Sequence, residues 1–152
     1  MEELVLLIAK YLIILLMAIY TVKCFTVFRH RDRKKQNIIF VEQNILMFII
    51  HFVAYVILFI REPDEKYLLF YGLQFILILF ILLMYNAVYP DSSRLVINNM
   101  CMLLVIGFIF ITRLNYASSF RQFIFVAVGI VISVFIPFLI KKMQFLRKIW
   151  YV

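Results

Sequence analysis

Five long apolar segments fill most of this chain, and their lengths decide what it can fold into. They cover about Leu4–Val22, Ile38–Ile60, Leu68–Val88, Leu95–Ile111 and Phe123–Ile140, 17 to 23 residues each. A helix needs about 20 apolar residues to cross a ~30 Å hydrocarbon core. A soluble domain of 152 residues has too little interior to hide this surface. Composition agrees: 66% of residues are hydrophobic and 16% charged, against roughly half and a quarter in soluble domains. The expected fold is all-α, a polytopic transmembrane bundle of about five spans. The first segment is not a secretory leader by its pattern, since it lacks a basic start and a small-residue cleavage site.

The connections are short: RHRDRKKQ, REPDEK, YPDSSR and TRLNYASSFRQF. Pro63 and Pro90 belong in turns, because proline breaks a helix interior. The net charge of +8 sits in these loops beside apolar spans, so it speaks to membrane topology and not to nucleic acid. With the first loop inside, the inner side holds Lys23, Arg29, Arg31, Arg33, Lys34, Lys35, Arg94, Lys141, Lys142, Arg147 and Lys148, eleven bases. The outer side holds four: Arg61, Lys66, Arg113 and Arg121. The bias puts the N-terminus outside and the C-terminus inside.

Polar residues within the spans each need a partner. Lys10 is expected to snorkel outward along its alkyl stem. Span two carries Glu42, Gln43, Asn44 and His51. At about 100° per residue, Glu42 and His51 fall on opposite faces, and Glu42 lies near the basic inner surface. Asn44, His51 and Tyr55 share a face and form a hydrogen-bonded packing seam against other helices. The minority reading of that stripe is a proton or substrate path. Asn98 and Asn99 are expected to bond at the inner interface. Gly129, Ser133 and Pro137, at spacings of four, give span five a small-residue groove suited to a close-packed helix.

No chemistry-bearing constellation emerges. Cys24 and Cys101 have neither metal-ligand spacing nor a disulfide pattern, and His30 and His51 lie far apart. Three glycines cannot build a phosphate-binding loop. Glu62, Asp64 and Glu65 in REPDEK read as a solvated turn. No catalytic, cofactor or metal site is expected. Outer-loop contacts are assigned to Arg113, Arg121 and Gln122. The final KKMQFLRKIWYV is basic, then aromatic, with Trp150 at headgroup level; hydrophobicity resumes just as the sequence stops, as a fragment of a longer protein would show.

The last third resembles the start of the core in FtsW/RodA/SpoVE proteins, the shape, elongation, division and sporulation (SEDS) family. The matches are Gly107, the Ala117-Ser118-Ser119 patch, Arg121-Gln122 and Leu146-Arg147-Lys148, in that order. The resemblance implies a three-span N-terminal extension over residues 1–94, as in some Firmicutes-type members, followed by the first two core helices over 95–152. It further implies a bacterial cytoplasmic-membrane location and a role in cell division or cell shape. The family polymerises lipid II into peptidoglycan beside a class B penicillin-binding protein. Its essential aspartate lies in a late outer loop that this sequence does not reach, so this chain alone is expected to be inactive. The competing readings are a non-enzymatic membrane scaffold that binds a partner and a small transporter using the His51 stripe.

Overall fold

The computed structural model describes the backbone of residues 2–90 and 92–150 and the side chains of 3–90 and 92–136. It contains five helices: α1 (Glu2–Arg29), α2 (Arg33–Arg61), α3 (Glu65–Val88), α4 (Arg94–Leu114) and α5 (Tyr116–Trp150). All five are long and apolar enough to cross a membrane, and the described residues include no strand. The chain is a polytopic helical membrane protein, as its apolar segments require.

The helices outrun the apolar segments because a bilayer core shorter than the helix leaves polar ends in the interface. α1 continues from Val22 to Arg29, and α2 starts at Arg33, not Ile38. What stops them is capping chemistry. The Asp32 carboxylate accepts from the Lys34 amide at 3.0 Å and starts α2; Asp64 does the same for α3 through Lys66 at 3.0 Å. Pro63 and Pro90 both fall in turns.

Asp64 also pairs with the Lys66 ammonium at 2.8 Å, and these hydrogen bonds hold its carboxyl below the ordinary 3.8. A depressed folded pKa stabilises the turn above 3.8, and that support is lost as pH falls through the lower folded value. The Lys66 amide should therefore keep its exchange protection down to pH 3.8 and lose it only in stronger acid. Asp64→Asn, which keeps the cap but not the charge, should remove that acid transition; an unchanged transition would exclude Asp64 as its source.

The α4–α5 connection is a single residue. Asn115 closes α4 by donating its amide to the Ile111 carbonyl at 2.8 Å. Its side-chain oxygen accepts from the Ser118 amide at 3.1 Å, and its carbonyl accepts from Ser119. One asparagine thus caps both helices. The stretch TRLNYASSFRQF, expected to be an outer loop, is helical on either side of Asn115. Ala117, Ser118 and Ser119 occupy the first turn of α5.

α2 and α4 form the centre. α1 packs mainly on α2, α3 on α2 and α4, and α5 on α4 with a lighter contact to α3. The main core joins Met47 and Ile50 of α2, Ile78 and Ile81 of α3, and Cys101 and Val105 of α4. Tyr20 and Ile130 close it from α1 and α5. A second cluster, around Tyr55, Leu58 and Phe70, lies toward the α2–α3 turn.

Candidate functional site

The most concentrated polar feature is a network that runs from His51, midway along α2, to the α4–α5 turn. His51 and Tyr55 are one turn apart on α2, as their spacing of four requires. Gln74 of α3 receives both: His51 Nε2 donates to Gln74 Oε1 at 3.0 Å, and the Tyr55 hydroxyl donates to the same oxygen at 2.8 Å. A carbonyl oxygen only accepts, so His51 carries its proton on Nε2. Gln74 Oε1 thereby uses both lone pairs. The Tyr55 oxygen then accepts from Thr112 Oγ1 of α4 at 3.0 Å, and Thr112 accepts from Ser119 Oγ of α5 at 2.7 Å. Every hydroxyl in Ser119–Thr112–Tyr55–Gln74 points the same way. Four helices are joined by one directional chain.

The network is closed. His51, Gln74 and Ser119 have no exposed surface, and Thr112 is 2% exposed. His51 is flanked by Tyr55 and Tyr71, with ring centroids 5.1 and 4.8 Å away. None of His51, Tyr55, Gln74, Thr112 and Ser119 lines the cavities of about 330 and 570 Å³ in the bundle. Such groups are costly in hydrocarbon unless paired, and their chemistry here is helix-to-helix recognition. The geometry favours the packing seam over a transport path.

The expected stripe is split between two layers. Asn44 lies two turns along α2 from His51, about 10 Å away, and does not join its network. It lines a separate groove of about 330 Å³ with Asn37, Asn86 and Arg94, where its side-chain oxygen has no protein partner. Gln43, its neighbour, is fully buried instead. Gln43 Oε1 accepts from Asn98 Nδ2 at 3.0 Å, and Asn98 also donates to the Phe40 carbonyl at 3.2 Å. Asn99 Oδ1 receives the Tyr20 hydroxyl at 3.1 Å and the Cys24 thiol at 3.2 Å. Asn98 and Asn99, about a turn from the start of α4, therefore find their partners on α1 and α2. Glu42 does meet a base, the Lys23 ammonium of α1 at 2.5 Å.

The remaining candidates separate. Arg113 and Arg121 are exposed, and Arg121 reaches Ser118 Oγ at 3.4 Å. Gln122 turns inward: its Nε2 stands 3.8 Å from where a Cβ on Gly107 would lie. It is thus a packing residue between α4 and α5, not an outer contact. Gly129 faces away from the other helices, with nothing within 4 Å of an added Cβ. The expected close approach is absent at Gly129, and farther along α5 the contact is made by tyrosines. Tyr85 bonds Ser133 at 2.6 Å, and Tyr89 donates to the Val134 carbonyl at 2.7 Å. The side chains of Pro137, Leu146, Arg147, Lys148 and Trp150 lie outside the described residues.

Sequence reasoning passed over Gln74 and Thr112, and it noted Ser119 only within the Ala117-Ser118-Ser119 patch of the outer loop. Gln74 carried a usable signal, a lone amide in the apolar run LLFYGLQFILILF. Thr112 and Ser119 were read as turn residues. Among the described residues, no three His, Cys, Asp or Glu side chains gather to hold a metal. No protein-family model, curated protein or solved structure matches the chain.

Proposed function

We propose that this chain is the N-terminal membrane part of a bacterial SEDS-type peptidoglycan polymerase, oriented with its N-terminus outside. In this reading α1–α3 buttress the first helical hairpin of the polymerase core, α4–α5. The observation that supports it is how that hairpin is built. Gly107, Ser119 and Gln122, three of the residues that carry the resemblance, take part in two contacts between α4 and α5. Gln122 lies over Gly107, and Ser119 bonds Thr112 across the one-residue turn. A hairpin fixed at these points is a platform, and lipid II and a class B penicillin-binding protein would be partners of the longer parent.

The purified 152-residue chain should form no glycan polymer from lipid II. In cells, disrupting the gene should reduce incorporation of a fluorescent D-amino acid into new wall and disturb shape or division. Normal wall synthesis and morphology would reject the polymerase reading and favour a non-enzymatic scaffold. Polymer formed by the isolated chain would overturn the assignment of α1–α5 to a supporting role.

A further inference from the structure

A cavity of about 570 Å³ opens between α1, α2 and α4, at the end of the bundle away from the α1–α2 turn. Its volume falls in the ~300–1,000 Å³ range of ligand sites. Eleven of its fourteen lining residues are apolar, among them Ile14, Met17, Ala54, Ile106 and Phe110. The other three are Lys10, Arg61 and Arg113, all exposed. They come from three different helices, 51 and 52 residues apart in sequence. No acid lines the cavity.

Of the acids at this end, Glu3 and Glu65 lie outside the cavity lining, and two others are engaged elsewhere. Glu62 accepts from the Tyr67 hydroxyl at 2.6 Å, and Asp64 is paired with Lys66. Among the described residues neither Lys10, Arg61 nor Arg113 has an ion-pair partner. The carbonyl ends of α2 and α4 offset part of the charge, about half a unit each, which still leaves the rim positive. The second groove, of about 330 Å³, offers no such rim: its only base, Arg94, donates to Asn37 Oδ1 at 3.1 Å.

The geometry points to a binding site for one anionic glycerophospholipid, its phosphate held by Lys10, Arg61 and Arg113 and an acyl chain lying along the apolar wall. Charge complementarity selects an anion. The wall selects a lipid, since below the rim it presents only hydrocarbon to an occupant. Lys10 is the informative member. It sits about two turns into α1, deeper than Arg61 and Arg113, which lie at the ends of their helices. A cation at that depth meets a headgroup that the cavity draws inward. By the Lys/Arg bias this end faces the outer leaflet.

The test is native mass spectrometry of the full chain released from nanodiscs of equal phosphatidylglycerol and phosphatidylcholine with matched acyl chains. The wild type should retain phosphatidylglycerol at least tenfold over phosphatidylcholine. Lys10→Gln should cut that preference severalfold; it changes an exposed side chain and leaves the core intact. Lys10→Gln/Arg61→Gln/Arg113→Gln should bring it near parity. Lys66→Gln/Arg121→Gln, which removes two charges at the same end but outside the cavity, should leave it unchanged. No preference in the wild type, or equal loss in the Lys66/Arg121 control, would overturn the site and reduce these bases to general headgroup anchors.

Discussion

Gln74→Leu should destabilise the folded bundle by about 1–3 kcal/mol. Leucine fills nearly the same space, so little of the loss is a cavity. The loss is electrostatic: His51 and Tyr55 both donate to Gln74 Oε1, and while the Tyr55 hydroxyl can turn to Thr112 Oγ1 at 3.0 Å, His51 has no other acceptor within the network. A buried donor left unpaired costs about 1–3 kcal/mol. Two offsets keep the sum from doubling. Interhelical hydrogen bonds in bilayers are worth only about 0.6 kcal/mol on average, up to about 1.7. Gln74 Nε2 is itself without a partner, so its removal relieves one unpaired group. A neutral imidazole keeps one N–H in either tautomer, so His51 cannot escape by shifting its proton. His51→Phe/Gln74→Leu should accordingly cost less than the sum of the two single changes. Cys101, fully buried, provides the readout: its thiol should react with a maleimide dye at a lower temperature in Gln74→Leu. Additive effects in the double variant would show that the two side chains do not share a bond.

Phe70→Ala should cost about 2–3 kcal/mol by the same thiol assay. Phe70 is fully buried between α3 and α5, with ring centroids of Tyr116, Phe123 and Phe120 at 5.3, 5.9 and 6.2 Å. Phenylalanine-to-alanine changes in water-soluble cores cost about 3–5 kcal/mol. Part of that comes from moving the ring out of water, and it is missing here because separated helices still rest in lipid. What remains is the cavity and its lost dispersion contacts. Phe70→Leu should recover much of the loss. A Phe70→Ala chain that melts with the wild type would mean that α3 and α5 do not depend on this cluster.

The contrast between these two sites explains what the sequence could reveal. The number of spans was legible because hydropathy over about 20 residues is a direct measure of cost in a bilayer. Helix ends were less so: Arg33 and Tyr116 lie inside helices although they lie outside the hydrocarbon-like runs. Hydropathy marks the bilayer core, whereas Asp32 and Asn115 mark the helix ends. His51 and Tyr55 were found because they lie on one helix, where spacing fixes angle. Their partners Gln74, Thr112 and Ser119 come from α3, α4 and α5, and no periodicity within α2 says which helix faces which. Asn44 shares the angle but not the depth, and α2 meets different neighbours at different depths. The small-residue pattern at Gly129 and Ser133 misled for a related reason. Spacing shows a narrow face but not what lies opposite: nothing comes within 4 Å of an added Cβ at Gly129, whereas Tyr85 bonds Ser133.

Asn115 has one more consequence. Because it alone joins α4 to α5, it sets the rotation of α5 about its own axis. One residue inserted beside it would turn α5 by about 100°. Ser119 would swing away from Thr112, and Gln122 away from Gly107, toward the acyl chains. A turn that tolerates no change in length acts as a phase key: the helix can be long and nearly featureless and still have one permitted azimuth.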